Sequence, residues 1–168
     1  MNDWIKSDRL KFKIWSLEWL NYYGFSTFLI GIGIVTCFIL IIDINGPKSE
    51  VLVILPISAL MLGTGIYILQ SKALKFKSIS ISEDKCIVRS RIKAILAEDE
   101  WEINYDNQKF LQATCKGFGA PDMITIRFKK SEICWNLIHD PWDKNSFAFL
   151  LPTGEKGKRL IEKIKASA

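Results

Sequence analysis

The sequence predicts a membrane-embedded α-helical hairpin followed by a soluble α+β domain, and two observations lead to this fold class. The first is a pair of uncharged, mostly apolar runs, residues 19–42 and 51–71. Each is long enough to cross a bilayer, which takes about 20 apolar residues. The second is a change at Lys72, after which charged residues are frequent and short alternating apolar segments are separated by turn residues.

The two runs divide the chain into three parts. These are an amphipathic interfacial segment (residues 1–20), a two-span transmembrane hairpin (residues 21–71) and a cytosolic ligand-binding domain (residues 72–168). In the first part, apolar residues that include Trp15 and Trp19 alternate with basic ones. This pattern is typical of an amphipathic helix that lies in the membrane interface, where tryptophan is enriched.

Basic residues flank the hairpin on one side. Four precede the first run and three follow the second, whereas the loop between the runs carries only Lys48. The flanking residues are Lys6, Arg9, Lys11, Lys13, Lys72, Lys75 and Lys77. Because Lys and Arg concentrate in cytoplasmic flanks, we predict an inner (cytoplasmic) membrane protein with both termini and the soluble domain in the cytosol.

Small residues recur four positions apart in both runs, at Thr27/Gly31, Gly33/Cys37 and Ala59/Gly63. Such spacing lets helices approach closely, either within the hairpin or between subunits. Neither run contains an acidic or basic residue, which argues against a transporter built on intramembrane charges. One hairpin cannot enclose a pore, so any pore would need several subunits, and we expect a homo-oligomer.

The soluble domain alternates between apolar and polar residues, which favours an antiparallel sheet or a partly closed barrel of six or seven strands. The predicted strands are residues 76–82, 86–92, 101–105, 110–115, 123–128, 133–137 and 147–151. Residues 93–100 fit either a helix or a strand. A C-terminal helix follows Pro152, with Thr153 as its N-cap and an apolar stripe at Leu160, Ile161 and Ile164.

The cysteines and the single histidine offer little metal chemistry. Cys37, Cys86, Cys115 and Cys134 form no CxxC pair, so reduced thiols are expected. A zinc site built from three of them and His139 would lack the usual ligand spacing. No P-loop, HExxH or GxSxG motif occurs, and we expect neither an enzyme nor a cofactor.

Two loops and two basic pairs are the candidate ligand-binding residues. The segment after residue 138 brings together His139, Trp142, Lys144 and Asn145, in which an aromatic ring can stack on a base while Lys and Asn reach phosphates. The loop after Lys116 contains two glycines that let the backbone approach an anion. The basic pairs, each predicted to share a strand face, are Arg89 with Arg91 and Arg127 with Lys129.

The formal net charge of +5 arises entirely from residues 72–168, because the preceding residues contain equal numbers of basic and acidic side chains. A basic domain beside a membrane indicates an anionic partner: a lipid headgroup, a nucleotide or a nucleic acid. Ordinary solubility and the charge bias of cytoplasmic segments explain the same excess.

The predicted topology of the soluble part resembles bacterial pleckstrin-homology-like domains. This resemblance implies a scaffold or accessory protein that contacts lipid headgroups or a protein partner. The order of two apolar runs and a basic, β-rich domain also resembles the small membrane effectors of type III CRISPR antiviral systems. That resemblance implies an oligomeric effector whose cytosolic domain binds cyclic tetra-adenylate, an anionic nucleotide, and thereby perturbs the membrane part.

Overall fold

A computed structural model describes residues 8–42, 50–116, 121–142 and 154–166 of the chain. Four helices and five strands lie within these residues. In chain order they are α1 (Leu17–Ile42), α2 (Glu50–Ala73), β1 (Lys77–Ser80), α3 (Lys85–Glu98), β2 (Glu102–Asp106), β3 (Phe110–Cys115), β4 (Asp122–Phe128), β5 (Glu132–His139) and α4 (Glu155–Ala166).

Helices α1 and α2 pack against each other as a hairpin, and both are long and apolar enough to cross a membrane. Only 11% and 17% of their most apolar windows are buried, whereas the core helix of a soluble protein is mostly buried. Gly33 and Gly63 lie in the contact: a Cβ at Gly33 would stand 3.1 Å from the Pro56 carbonyl oxygen. Gly31 faces open space.

Near the sheet, buried polar groups join the two helices. The Ser26 hydroxyl donates a hydrogen bond of 2.9 Å to Gln70 Oε1, and the Gln70 amide nitrogen donates to the Tyr22 carbonyl oxygen. The Tyr22 hydroxyl donates in turn to the Gln70 carbonyl oxygen. Because buried polar groups must be paired, these bonds hold the helices in one register at this end of the hairpin.

The strands form one open antiparallel sheet in the order β1-β5-β4-β3-β2. The prediction of an antiparallel sheet is confirmed, but the described residues contain five strands rather than six or seven. The sheet is not a barrel, because its edge strands β1 and β2 do not pair with each other. The predicted strand at residues 147–151 and the N-cap Thr153 lie outside the described residues.

The predicted strand at residues 86–92 is wrong, because this segment is the first half of helix α3, which also takes up most of residues 93–100. Asp84 caps the helix by accepting a 2.7 Å hydrogen bond from the Cys86 backbone nitrogen. Buried Val88, Ile92 and Leu96 recur every four residues and pack on the sheet. This helical period, rather than the alternation of period two, decides the structure.

The predicted interfacial helix is also corrected, since residues 8–16 are not helical and α1 begins at Leu17. Instead, the segment runs alongside the chain that leaves α2. The Leu10 backbone nitrogen donates to the Leu74 carbonyl oxygen at 3.0 Å, and the Phe76 nitrogen donates to the Asp8 carbonyl oxygen at 3.0 Å. The segment therefore acts as a strap across the joint between hairpin and sheet.

The two faces of the sheet are covered by different parts of the chain. Helices α3 and α4 cover one face and bury the larger apolar core. The strap and the ends of the hairpin cover the other face, where Leu10, Tyr22 and Leu74 join Met123 and Ile138 in a second buried cluster. The sheet therefore rests directly on the end of the hairpin.

Candidate functional site

The pair Arg89 and Arg91 does not form a shared basic face, because both residues lie on helix α3 rather than on a strand. Arg89 is bonded to Asp106 and lies 5.1 Å from the centre of the Phe128 ring. Arg91 pairs with Glu83 at 2.8 Å. Burial opposes ionisation of Asp106, but hydrogen bonds from Lys93 and Arg89 outweigh it and hold the pKa of that carboxyl below its ordinary value.

The other predicted basic residues are dispersed over the domain. Arg127 is half-buried on β4 opposite Phe110, and Lys129 pairs with Glu132 at the β4–β5 turn. Lys116 is exposed where β3 ends. Lys144 and Asn145 lie outside the described residues. The structure therefore does not bring the predicted basic residues together.

His139 and Trp142 hold parts of the fold in place. His139 Nδ1 lies 3.0 Å from Asp122 Oδ1 on the neighbouring strand, and Asp122 Oδ2 accepts a 2.9 Å hydrogen bond from the Gly154 nitrogen at the start of α4. Trp142 packs edge-on against Phe12 of the strap. These contacts tie α4 and the strap to the sheet.

A cleft of about 720 Å³ lies where helix α2 gives way to strand β1, opposite α4. Its walls come from the end of α2, the start of β1 and one face of α4, and its floor is β5. The lining residues are Lys72, Ala73, Lys75, Phe76, Lys77, Trp135, Asn136, Leu137, Lys158, Ile161, Glu162 and Lys165. We call this site the lysine cleft.

The lysine cleft exists because β1 is shorter than β5. Strand β5 pairs with β4 from Ile133 to His139 but with β1 only from Glu132 to Trp135, so no strand among the described residues lies beside the rest of its outer edge. Asn136 holds the departing chain at this point by donating hydrogen bonds of 2.7 and 3.1 Å to the carbonyl oxygens of Ala73 and Lys75.

Helix α4 approaches β5 closely at a glycine. A Cβ at Gly157 would stand 2.7 Å from Leu137 Cδ2, a distance at which the leucine would have to move. With α4 seated here, its residues Lys158, Ile161, Glu162 and Lys165 follow a spacing of three, four and seven and so face the cleft together.

The lysine cleft is strongly basic. Five lysines and one glutamate line it, and the lysine ammonium groups are compact charges with three donors each. The Lys165 ammonium lies 5.8 Å from the centre of the Trp135 ring. Among the described residues, the buried Trp135 indole nitrogen, which is a hydrogen-bond donor, has no partner. Such a lining suits an anion that accepts several hydrogen bonds, above all a phosphate.

Sequence reasoning missed this site, although it noted three of its lysines. Lys72, Lys75 and Lys77 were interpreted only as a flank of the hairpin, and Lys158 and Lys165 lie about 80 residues further along the chain. The seven-residue spacing of Lys158 and Lys165 on a predicted helix was the one available signal that these two lysines share a face. Among the described residues, no group of three His, Cys, Asp or Glu side chains could hold a metal ion.

The chain was compared with protein families, curated proteins and solved structures. No protein-family description, curated protein or solved structure matches the chain.

Proposed function

We propose that this chain is a two-span membrane protein whose cytosolic domain binds a phosphate-bearing anion in the lysine cleft and transmits that binding to the hairpin. The observation that carries the proposal is the convergence of five lysines and a single glutamate at the point where α2 ends. Like charges placed this close repel one another, and an anion that enters the cleft relieves the repulsion.

The membrane part of the proposal rests on the surface of the hairpin. Large apolar side chains on both helices point outward, among them Phe28 and Phe38 on α1 and Met61 and Leu69 on α2, each at least 60% exposed. A soluble protein rarely exposes apolar patches of this size. Apart from the donor that Pro56 lacks in α2, the helical backbone supplies its own hydrogen bonds, as a bilayer requires. In this arrangement the basic cleft lies on the cytosolic side.

Direct bonds join the cleft to the hairpin, so occupancy can bias the helices. The Asn136 amide of β5 donates to the carbonyl oxygen of Ala73, the last residue of α2, the Asn21 amide of α1 donates to the Pro141 carbonyl oxygen, and the strap bonds Leu74. A ligand shifts a conformational equilibrium only through differential contact with the two states. Lys72 and Ala73 belong to both α2 and the lining, so an anion in the cleft would contact the end of the helix directly.

Two sources of phosphate fit this chemistry. One is a soluble anionic nucleotide, with cyclic tetra-adenylate as the candidate, in which case the protein is an effector that acts on the membrane as a homo-oligomer in antiviral defence. The other is a lipid headgroup, in which case the protein is a non-enzymatic scaffold or accessory subunit. Both require the same lysines.

The test uses the full chain in nanodiscs of neutral phosphatidylcholine. Thermal unfolding is followed with inorganic pyrophosphate and, separately, with cyclic tetra-adenylate. A ligand at 100 times its dissociation constant adds about 2.7 kcal/mol, which raises the midpoint by several degrees. We expect at least pyrophosphate to do so.

Two matched double variants each replace two lysines by glutamine, one pair inside the cleft and one pair outside it. The double variant Lys158→Gln/Lys165→Gln removes two lining charges on α4 without touching the charges that flank the hairpin. The control Lys109→Gln/Lys130→Gln removes two exposed charges from the β2–β3 and β4–β5 turns. The first variant should lose the shift and the second should keep it. A shift that survives in the first variant, or no shift in the native chain, would overturn the proposal.

A further inference from the structure

The level of the lysine cleft along the hairpin bears on which source of phosphate fits it. Aromatic rings cluster at the sheet end of the hairpin, and the depth of this cluster can be compared with that of the cleft. The rings of Trp15, Trp19, Tyr23 and Tyr67 follow one another with centroids 5.3, 5.7 and 4.8 Å apart. We call them the aromatic belt.

The aromatic belt marks the level of the lipid headgroups. Trp and Tyr side chains are enriched at that level in membrane proteins, because each combines an apolar ring with a polar group. Beside the belt, Ile14, Trp15 and Leu17 are 66%, 75% and 75% exposed at the turn that precedes α1. Such a cluster of exposed apolar side chains is stabilised when it enters the interface.

Lys72 follows Tyr67 by five residues on the same helix, which places it roughly 8 Å further along the axis. The remaining lysines of the α2 wall follow within the next five residues. Because Tyr22 of α1 bonds Gln70 of α2, Trp19 at the sheet end of the aromatic belt lies level with Lys72. The cleft therefore begins at the sheet end of the belt, at the depth of the phosphate groups of the cytosolic leaflet. Lys72 and Ala73 of α2 line the cleft, so a phospholipid whose headgroup binds there would have its acyl chains beside that helix.

The lining also favours a headgroup over a nucleobase. A base is held by stacking on an accessible aromatic face. In the cleft, Trp135 is 5% exposed with Lys165 over its ring, and Phe76 is half-buried. The exposed cationic groups of the lining are lysine ammonium ions, which bind phosphate oxygens and do not distinguish one base from another.

We infer that the lysine cleft binds the phosphate headgroup of an anionic phospholipid from the cytosolic leaflet. This inference rests on the proposed function and narrows it to one source of phosphate. It assigns the cleft to a ligand that is already in the membrane, so that occupancy of the cleft depends on the anionic lipid content of the cytosolic leaflet.

The experiment is native mass spectrometry of the full chain released from nanodiscs that contain equal amounts of phosphatidylglycerol and phosphatidylcholine. We expect retained lipid to be enriched in phosphatidylglycerol. The variant Lys158→Gln/Lys165→Gln should reduce that enrichment about tenfold or more, because each lysine near an anionic surface contributes several-fold. The control Lys109→Gln/Lys130→Gln should retain it. Far-UV circular dichroism checks that each variant is folded.

The outcomes separate the two proposals. Enrichment that is absent, or equal in both variants, overturns the inference. If pyrophosphate still stabilises the native chain through Lys158 and Lys165 in that case, the proposed function stands with a soluble ligand. If cyclic tetra-adenylate stabilises the chain through the same lysines and phosphatidylglycerol does not compete, the ligand is a nucleotide and the inference is wrong. If neither anion acts through these lysines, both proposals fall.

Discussion

The two faces of the sheet differ in what they bury. On the face covered by α3 and α4, the buried strand residues are apolar except Asp122 at the start of β4, and Leu111, Ile124, Ile126 and Ile133 are fully buried. On the face that rests on the hairpin, three polar residues, Gln112, Thr125 and Asn136, are buried among apolar ones. The first face is built for stability. On the second, Asn136 donates hydrogen bonds to the chain that leaves α2, and these directional bonds fix how the sheet sits on the hairpin.

This difference separates folding from coupling. Apolar burial stabilises a domain in proportion to area and is tolerant of direction. A buried amide is favourable only where its partners stand in the right place, so it specifies an arrangement more than it adds stability. Changes on the first face should therefore unfold the domain, and changes on the second should loosen the joint between sheet and hairpin.

The largest effect is expected on the α3 and α4 face. Ile92→Ala removes a fully buried side chain and should lower the free energy of unfolding by about 2–5 kcal/mol, through lost burial and a residual cavity. The measurement is urea unfolding of the full chain in nanodiscs, followed by tryptophan fluorescence. Ile87→Ala is the control on the same helix, because Ile87 is 55% exposed. Equal losses in the two variants would show that α3 is not packed as described.

A middle-sized effect is expected at the hairpin face. Asn136→Ala leaves the carbonyl oxygens of Ala73 and Lys75 without their donor and should cost about 1–3 kcal/mol. Cleavage by trypsin at Lys75 and Lys77 should accelerate, while the sheet core stays folded by tryptophan fluorescence.

The control for that change is Asn104→Ala, which removes an exposed hydrogen bond of 2.9 Å to Thr114. It should leave the rate of cleavage unchanged. If Asn136→Ala unfolds the whole domain and leaves tryptic cleavage of the joint no faster than unfolding itself, the distinction between the two faces is lost.

The smallest effect is expected at the sheet edge, away from both faces. The pKa of Asp106 is held below its ordinary value of 3.8, so the folded state favours the ionised carboxyl. Its contribution is present above about pH 4 and is lost as the pH falls through the lowered pKa. Asp106→Asn should therefore cost less than about 1 kcal/mol near neutral pH, because the group is partly exposed, and nothing at the acid end. A stability difference that grows on acidification would contradict the pairing with Arg89 and Lys93.

Much of the fold could be predicted from the sequence because its signals are local. The uncharged runs gave α1 and α2, and the strands at residues 110–115 and 123–128 followed from alternation alone. Residues 86–92 carried both an alternating pattern and a helical one, and only the packing of Val88, Ile92 and Leu96 on the sheet decides between them. The strap was misread as a helix because its partners, Leu74 and Lys75, lie more than 60 residues away.

The candidate site was less predictable because it depends on where β1 stops pairing with β5. Nothing local indicates that β1 ends before β5, yet this mismatch opens the cleft. Lys72 and Lys165 meet only because α4 packs across β5 at Gly157. The residues that did look functional, such as His139 beside Asp122 or Arg89 beside Asp106, make structural pairs instead.

The central claim is that an anion occupies the lysine cleft at the joint between hairpin and sheet. Hydrogen–deuterium exchange of the full chain in phosphatidylcholine nanodiscs, with and without phosphatidylglycerol, tests this claim most directly. The account predicts slower exchange of the amides at residues 71–77 and 158–165 with phosphatidylglycerol present, and no change in Phe110–Cys115. Unchanged exchange in both cleft segments, or protection confined to α3 near Arg89, would contradict it.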